Sequence, residues 1–438
     1  MTGAEQHKSS GNLASGAVDC PASMIVGSHT VLWDHARLLG LKAIGWCLRR
    51  RPRRSISTGR LRILVIRPDH LGDMLFATPA LRLLRDRYPG AHLTALVGPW
   101  AVPVLDHGPP LDEILTCNFP WFDRKPRPSP WQPYRLLFSE AKRLQAKQYD
   151  IALNLRFDFW WGAMLAGAAG VPVRLGYAIP GCLPFLSEAE PYQPGRHEVE
   201  QNLGLVEALA SLLPPEAEGT PGGLEFRTTP SEEVEVARLL GSVGLEPDAA
   251  LVAVHPGAGA VAKLWTVEGF ASVCDELATR HRAQVILTGS AQERDLVHQV
   301  QAKATSRPIS LAGQTDLGQL AAVFRRCRLA IGVDSGAMHL AVAVGTPTVH
   351  LYGPSDPVTF GPYGDPRHHQ VVTSAIRCSP CGRFLGFEQP APCMRAITVA
   401  QVMEAVERVL EASATRSIER TLSSTALGGE LDSSRRSE

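Results

Sequence analysis

Residues 62–89, RILVIRPDHLGDMLFATPALRLLRDRYP, decide the fold. The run from Arg62 to Ile66 is short, apolar and β-branched, which is typical of a buried strand. The polar loop RPDHLGD follows, and helical spacing then continues as far as Pro89-Gly90, a pair that ends helices. A strand that leads through a loop into a helix is the repeating unit of a parallel α/β sheet.

The same unit repeats along the chain. In the first half, strands are predicted at HLTALVG, DEILTC and YDIALNL, with a helix over 134–147. In the second half, helices separate strands predicted at ALVAVHPG, AQVILTGS, LAIGVDSG and TVHLYGP. Such right-handed βαβ units build parallel sheets. The sequence therefore predicts an α/β protein with two Rossmann-like domains and a ligand cleft between the carboxyl ends of their strands.

The domain limits follow from composition. The stretch at 214–230 is dense in Pro, Gly and Thr and is the best linker candidate. The predicted organisation is a flexible or amphipathic basic extension at 1–59, an N-terminal domain at 60–228, a C-terminal domain at 229–397, a helix at 398–412 and a disordered tail at 413–438.

Composition excludes several classes of protein. Hydrophobic residues make up 45% of the 438 residues, enough for sizeable cores. The 44 Lys and Arg nearly balance the 43 Asp and Glu, which argues against a nucleic-acid partner recognised by bulk charge. The longest charge-free apolar run, residues 159–173, is shorter than the ~18 residues of a spanning helix. The N-terminus is polar, and nine cysteines, an odd number, do not suggest a secreted disulfide framework, so these features predict a cytoplasmic protein.

Residues 31–54 combine an interleaved apolar pattern with a basic end. The stretch VLWDHARLLGLKAIGWC precedes five arginines between Arg49 and Arg54. One interpretation is an amphipathic helix that lies on the anionic cytoplasmic face of the inner membrane. The other is a helix packed on the N-terminal domain and followed by a solvated basic linker. Gly40 and Gly45 weaken the helix in either case.

The second domain carries the clearest candidate for an anion site. The strand LAIGV ends in Asp334-Ser335-Gly336, and a helix begins at once with His339 in its first turn. Ser335 or Asp334 can cap this helix, and Gly336 lets a ligand approach the backbone. The free amides and the dipole of a helix start favour phosphate. The alternative is an ordinary capped helix with His339 in the core.

Two further loops follow strands of the same domain. His255 and Gly257 lie in one, with Lys263 shortly after them, so that this loop offers amides and one compact cation to a diphosphate. Ser290 and Glu293 lie in the other, where a carboxylate can accept hydrogen bonds from ribose hydroxyls. Neither half has a GxGxxG fingerprint at its first strand, and no GxxxxGK[ST] loop occurs, so a dehydrogenase or P-loop kinase is disfavoured and no cofactor is predicted.

In the first domain, Gly72 and Asp73 lie where the first loop turns into a helix. Two interpretations of Asp73 stay open on the residues alone. It caps the helix, a common use of Asp, or it is a general base that faces the cleft, since a helix N-terminus keeps a carboxylate ionised.

Three cysteines form the only candidate metal cluster. Cys378 and Cys381 make a CxxC motif, and Cys393 follows twelve residues later. His368 or His369 as a fourth ligand would complete a tetrahedral zinc site, although three cysteines alone are a weak signal. The alternative is a surface loop with reduced or partly disulfide-bonded thiols, and the prediction is that no metal is bound.

With these segments in view, the chain resembles glycosyltransferase family 9, typified by the ADP-heptose:lipopolysaccharide heptosyltransferases. The segment D-[ST]-G-x-x-H-x-A-x-A-x-G-x-P is the most specific, and the matches run in family order between residues 60 and 410. The matching segments are residues 62–89, VAVHPGAGAVAKLWTVEGF, VILTGS with Glu293, residues 309–313, and LAIGVDSGAMHLAVAVGTPTVHLYGPSDP.

The resemblance implies a GT-B fold, with the acceptor on the N-terminal domain and the nucleotide-sugar on the C-terminal domain. By motif, Asp73 matches the catalytic base, Lys263 a lysine that contacts donor phosphate, and Glu293 a carboxylate near the donor ribose. His197 and Glu198 match a His-containing segment of the family, and no role is assigned to them. The predicted substrate-binding residues are Gly72, His255, Gly257, Ser290, Glu293, Asp334, Ser335, Gly336 and His339.

The implied reaction is inverting, metal-independent transfer of a sugar, heptose in the type members, from an ADP-linked nucleotide-diphosphate sugar. The implied acceptor is a lipid-linked or lipopolysaccharide-type glycan. Three alternatives remain: a GT-B nucleotide-sugar epimerase, a non-catalytic nucleotide-sugar binding module and a dinucleotide oxidoreductase.

Overall fold

The computed structural model describes residues 28–49, 55–56, 59–123, 129, 131–245 and 250–415, with side chains of the first helix described at 38–48. Two parallel six-stranded sheets with flanking helices form the protein. This is the α/β architecture that the alternating strands and helices of the sequence predict.

The first sheet runs in the order β3-β2-β1-β4-β5-β6. Its strands are β1 (Arg62–Arg67), β2 (His92–Val97), β3 (Glu113–Thr116), β4 (Ile151–Asn154), β5 (Val173–Tyr177) and β6 (Glu188–Glu190). The helices of this part are α1 (Ser28–Arg49), α2 (Leu71–Arg87), α3 (Val102–Asp106), α4 (Gln132–Ala146), α5 (Trp160–Ala168) and α6 (Glu198–Leu212).

The second sheet runs in the order β12-β11-β10-β7-β8-β9. Its strands are β7 (Leu251–His255), β8 (Gln284–Leu287), β9 (Ile309–Ser310), β10 (Leu329–Val333), β11 (Thr348–Tyr352) and β12 (His369–Thr373). Its helices are α7 (Pro230–Ser242), α8 (Val267–Arg280), α9 (Arg294–Lys303), α10 (Leu317–Arg326), α11 (Gly336–Ala343), α12 (Pro357–Phe360), α13 (Pro392–Arg395) and α14 at 399–415.

Each sheet has one point at which the strand order reverses. In the first sheet β1 pairs with both β2 and β4, and in the second β7 pairs with both β8 and β10. Ligands of open α/β sheets bind outside the carboxyl ends of the strands at such a point. The loops after β1, β4, β7 and β10 are therefore where a site is expected.

The apolar core is continuous between the two domains. Along β1, Ile63 and Val65 face a core shared with α2 and α6, while Leu64 and Ile66 face the layer of α4 and α5. The first of these cores also contains residues of α7, β7 and α11 in the C-terminal domain, namely Val236, Ala253 and Met338. Helices of the two domains thus pack directly against each other.

α1 packs on the N-terminal domain. Leu41 is buried in the same core as α4 and α5. A Cβ at Gly45 would lie 2.5 Å from the carbonyl oxygen of Pro184, so glycine lets the helix approach the turn at 183–185. Arg174 holds that turn through a 2.6 Å hydrogen bond to the Phe185 carbonyl. α1 is thus packed on the domain through this face, and the arginines at 50–54 lie outside the described residues. Membrane contact by residues 31–54 stays a prediction.

The C-terminal helix is longer than the sequence predicted. It continues to residue 415, three residues into the predicted tail, while Val402, Val406 and Val409 bury one face in the core of the second domain. The rest of the predicted tail and residues 1–27 of the predicted N-terminal extension lie outside the described residues. Within the part of the chain that the structure describes, no helix has the length and apolar character needed to cross a membrane.

Candidate active site

Two helix starts, one from each domain, meet at the predicted site. A Cβ added to Gly72 in α2 would lie 3.2 Å from Cδ2 of His339 and 3.4 Å from Cα of Gly336. A Cβ on Gly336 would in turn lie 2.9 Å from the Leu71 side chain. Glycine at both positions lets the N-termini of α2 and α11 approach this closely.

Asp73 lies at the third position of α2. The N-cap is His70, whose side chain makes no capping hydrogen bond, so Asp73 is not the cap that one interpretation predicted. One third of its side chain is exposed, and Oδ1 lies 3.9 Å from Nη2 of Arg67. The carboxylate therefore combines solvent access with a position at the domain boundary.

A buried network of charges surrounds Asp73. Arg67 is completely buried and forms ion pairs with Asp69 at 2.8 Å and Glu198 at 3.0 Å. Arg156, which follows β4, contacts the other oxygen of Asp69. Removing one member of a buried charge network costs about 3–5 kcal/mol, because the partner is left uncompensated. These groups consequently hold the loop after β1 in one arrangement.

The network shifts the pKa values of its carboxyl groups. Burial, together with the charge of Asp69, raises the pKa of Asp73. Arg67, Arg156 and Lys263 act in the opposite direction and only partly compensate. Burial also raises the pKa of Glu198 to about 7, in spite of its bond to Arg67. A raised pKa makes the Asp73 carboxylate a stronger base than an ordinary aspartate.

Lys263 comes from the opposite domain and is held by Asp334. The distance from Nζ to the Asp334 carboxylate is 2.7 Å, and the ammonium group lies 4.9 Å from the centre of the Phe384 ring. Burial would raise the pKa of Asp334, but His339 and Lys263 outweigh burial and lower it. The carboxylate of Asp334 is thus engaged in positioning Lys263, a contact that the sequence did not predict.

The start of α11 presents polar atoms without partners. Ser335 is its N-cap, but the hydroxyl makes no capping bond. The Ser335 hydroxyl and Nδ1 of His339 are both buried, and neither has a hydrogen-bond partner among the described residues. Unpaired buried polar atoms are costly. The Ser335 hydroxyl can donate to an anion beside the backbone amides of the helix start, whereas Nε2 of His339 lies 3.5 Å from the Asp334 carboxylate.

The two remaining loops of the second domain meet at Gly257. A Cβ there would lie 2.1 Å from Oε1 of Glu293, so the carboxylate covers this glycine. The other oxygen, Oε2, accepts hydrogen bonds from the backbone N–H of Ser290 at 2.7 Å and its hydroxyl at 2.8 Å. His255 is buried beside them and pairs with Thr288 at 3.0 Å, and burial lowers its pKa.

The His-containing segment joins the domains. His197 is the N-cap of α6, because its Nδ1 accepts from the Val199 N–H at 3.1 Å. Its Nε2 then carries the proton and donates to the carbonyl of Gly361 in the second domain at 3.0 Å. Nearby, the Tyr363 hydroxyl bonds Glu200.

The cysteine cluster is the candidate for a metal site. Among the residues described, no group of three or more His, Cys, Asp or Glu side chains is placed to hold a metal ion. Cys393 is buried, and His369 pairs with the Thr348 hydroxyl at 2.9 Å instead of completing a set of ligands. The absence of a bound metal stays a prediction.

Sequence reasoning missed three residues of the site. Arg67 ends a strand, Arg156 begins a loop, and Phe384 lies in the cysteine segment. Arg156 had a detectable signal, because it follows a strand next to β1 in the sheet. Arg67 lies beside Asp69 in the first loop, but its bond to Glu198, 131 residues away, had none. The contact of Phe384 with Lys263 had none either.

Two facing α/β domains, each with a six-stranded parallel sheet, form the GT-B architecture. A family model described as glycosyltransferase family 9 (heptosyltransferase) matches residues 137–389. The chain belongs to this family.

Curated relatives agree. Lipopolysaccharide heptosyltransferase 3 of Escherichia coli K12 is 27% identical, over 67% of this chain and 82% of its own length. Lipopolysaccharide heptosyltransferase 2 of Salmonella typhimurium LT2 is 28% identical, over 68% and 84%. Among solved structures, a family 9 glycosyltransferase from Veillonella parvula superposes with a TM-score of 0.66 at 26% identity, over 82% of this chain and 99% of its own. E. coli ADP-heptose lps heptosyltransferase II shares the fold, with a TM-score of 0.61 at 24% identity, over 80% and 99%.

Proposed function

We propose that the protein transfers heptose from ADP-heptose to a lipopolysaccharide-type acceptor with inversion at the anomeric carbon. The single observation that carries this proposal is the close approach of the α2 start, which contains Asp73, to the α11 start, beside which Asp334 holds Lys263. The names of the relatives supply the sugar, the nucleotide and the acceptor class.

In the proposed reaction, Asp73 takes the proton of an acceptor hydroxyl while that oxygen attacks the anomeric carbon. The new C–O bond forms as the bond to the diphosphate breaks, and the electron pair leaves with ADP. Lys263, the α11 amides and Ser335 would stabilise the charge that develops on the leaving group. Glu293, beside Gly257, would bind the ribose. A single direct displacement inverts the anomeric centre.

Asp73→Asn tests the base, because the amide keeps the shape and cannot accept the proton. We expect kcat for ADP release to fall at least ~100-fold, with donor binding by thermal shift unchanged. Asp86→Asn, at the other end of α2, is the matched control and should retain activity. Near-normal turnover of Asp73→Asn would reject the assignment, and conversion of the donor without acceptor would indicate an epimerase.

The leaving group needs no metal in this proposal, since a lysine and backbone amides supply the positive charge. We expect turnover by the purified enzyme to be unchanged in excess EDTA. Strong inhibition that added Mg²⁺ or another divalent cation reverses would contradict metal independence, without affecting the assignment of Asp73. The proposed location is the cytoplasmic face of the inner membrane, where lipid-linked acceptors are found.

A further inference from the structure

α4 carries a line of exposed aromatic side chains. Trp131 is 68% exposed and Phe138 is 69% exposed, and Tyr134 lies between them. With Lys142 they are spaced at i, i+3, i+7 and i+11, which places them on one face of the helix. The opposite face, which includes Leu137 and Leu144, is buried in the core. Large aromatic groups are thus held outward by a well-packed helix.

α1 has a second line of the same kind. Leu39 is 66% exposed, Trp46 is 55% exposed, and Lys42 is exposed between them. Their spacing at i, i+3 and i+7 again defines one face, while Leu41 and Gly45 form the face that packs on the domain. Because α1 packs on the domain through Leu41 and Gly45, the face that carries Leu39 and Trp46 is exposed to solvent.

The two lines belong to one helical layer. α1 and α4 both pack against α5, on the face of the first sheet opposite α2 and α6. Near the carboxyl edge of this sheet, Trp121 and Trp160 lie with ring centres 5.5 Å apart. These two tryptophans follow β3 and β4, and Asp73 follows β1, so all three lie toward the carboxyl edge of the first sheet.

The chemistry of this layer fits a lipid surface. Monomeric proteins rarely expose large apolar side chains in a group unless they form a binding surface. Trp and Tyr favour the boundary between lipid and water. On α4, Arg143 and Lys147 pair with Glu140 and Glu113, whereas Arg135 and Lys142 are exposed. Exposed cations beside aromatic groups are attracted to anionic headgroups.

We propose that the outer surface of this layer, formed by Leu39, Lys42, Trp46, Trp131, Phe138 and Lys142, binds an anionic phospholipid bilayer. This inference deepens the proposed function, because a lipid-linked acceptor lies at such a surface. Bound in this way, the enzyme would bring the edge of the sheet near Asp73 toward the headgroups. The aromatic groups insert and the lysines contact phosphate.

The test is co-sedimentation of the full chain with vesicles. We expect the protein to bind vesicles that contain phosphatidylglycerol and to bind vesicles of phosphatidylcholine alone only weakly. Binding to the anionic vesicles should weaken at high salt. Trp131→Ser with Phe138→Ser should lower the binding constant at least ~10-fold, and Lys142→Glu should lower it less. Val234→Ser is the matched control, since Val234 is 50% exposed on α7 of the other domain. It should bind as the wild type does.

Two measurements keep this proposal separate from the proposed function. Turnover with a water-soluble oligosaccharide acceptor should be unchanged in the Trp131 and Phe138 variants. If the wild type binds vesicles but shows no turnover with the soluble acceptor, the proposed function is wrong and the membrane-binding inference still holds. Equal vesicle binding by wild type and the double variant would overturn the inference. The inference would also be overturned if the wild type were a dimer and the double variant a monomer, because the surface would then be an interface between two copies.

Discussion

Asp73 has charged neighbours that act on its pKa in opposite directions. Burial and Asp69 raise the pKa, whereas Arg67, Arg156 and Lys263 lower it. A base is active only when ionised, so activity is lost as the pH falls through this pKa. Because the net shift is upward, the acidic limb of the pH profile should lie above the ~3.9 of an ordinary aspartate.

Paired variants test this balance. Asp69→Asn removes a negative neighbour and should move the acidic limb of kcat/KM to lower pH. Arg156→Gln removes a positive neighbour and should move the limb to higher pH, by an amount on the order of one unit or less. The measurement is the pH dependence of kcat/KM from pH 4 to pH 9.

General damage to the site would lower the activity of both variants but would not move the limb in opposite directions. Limbs that coincide with that of the wild type would show that Asp73 is not the titrating group. Thermal unfolding of each variant provides the control, because Asp69 belongs to a buried network.

Secondary elements differ in how well the sequence predicts them. The sequence predicts a helix at 134–147, and α4 is found at Gln132–Ala146, because its apolar face repeats with the helical period. α5 was not predicted, since WWGAMLAGA is apolar on all sides and shows no period. β6 and β9 have three and two residues and lie at sheet edges, which is too short for a pattern.

The loops of the site were predictable for a topological reason. Residues that follow parallel strands meet at one edge of a sheet, so the sequence order alone placed Asp73 and Lys263 at strand ends. The pairing of side chains was not predictable. The sequence separates Arg67 from Glu198 by 131 residues and Lys263 from Asp334 by 71, and no local pattern records either ion pair.

On the scale of the whole molecule, the site is complete only while the two domains stay together. Besides the shared apolar core, polar contacts hold this arrangement. His197 bonds Gly361, Tyr363 bonds Glu200, and His107 in the first domain lies 2.7 Å from Glu232 at the start of α7. Burial lowers the pKa of His197, so its ring is neutral near pH 7 and Nδ1 can accept while Nε2 donates.

His197→Asn separates the two tasks of this residue. Asn is a preferred N-cap and should keep α6 stable, but its side chain is too short to reach the Gly361 carbonyl. Loss of one interdomain hydrogen bond, worth about 0.5–1.5 kcal/mol, should lower kcat/KM ~2- to ~10-fold. Small-angle scattering should then show a larger radius of gyration at an unchanged unfolding temperature. His197→Ala, which loses the cap as well, should also unfold at a lower temperature. Wild-type scattering and kcat/KM in His197→Asn would show that this bond does not hold the domains together.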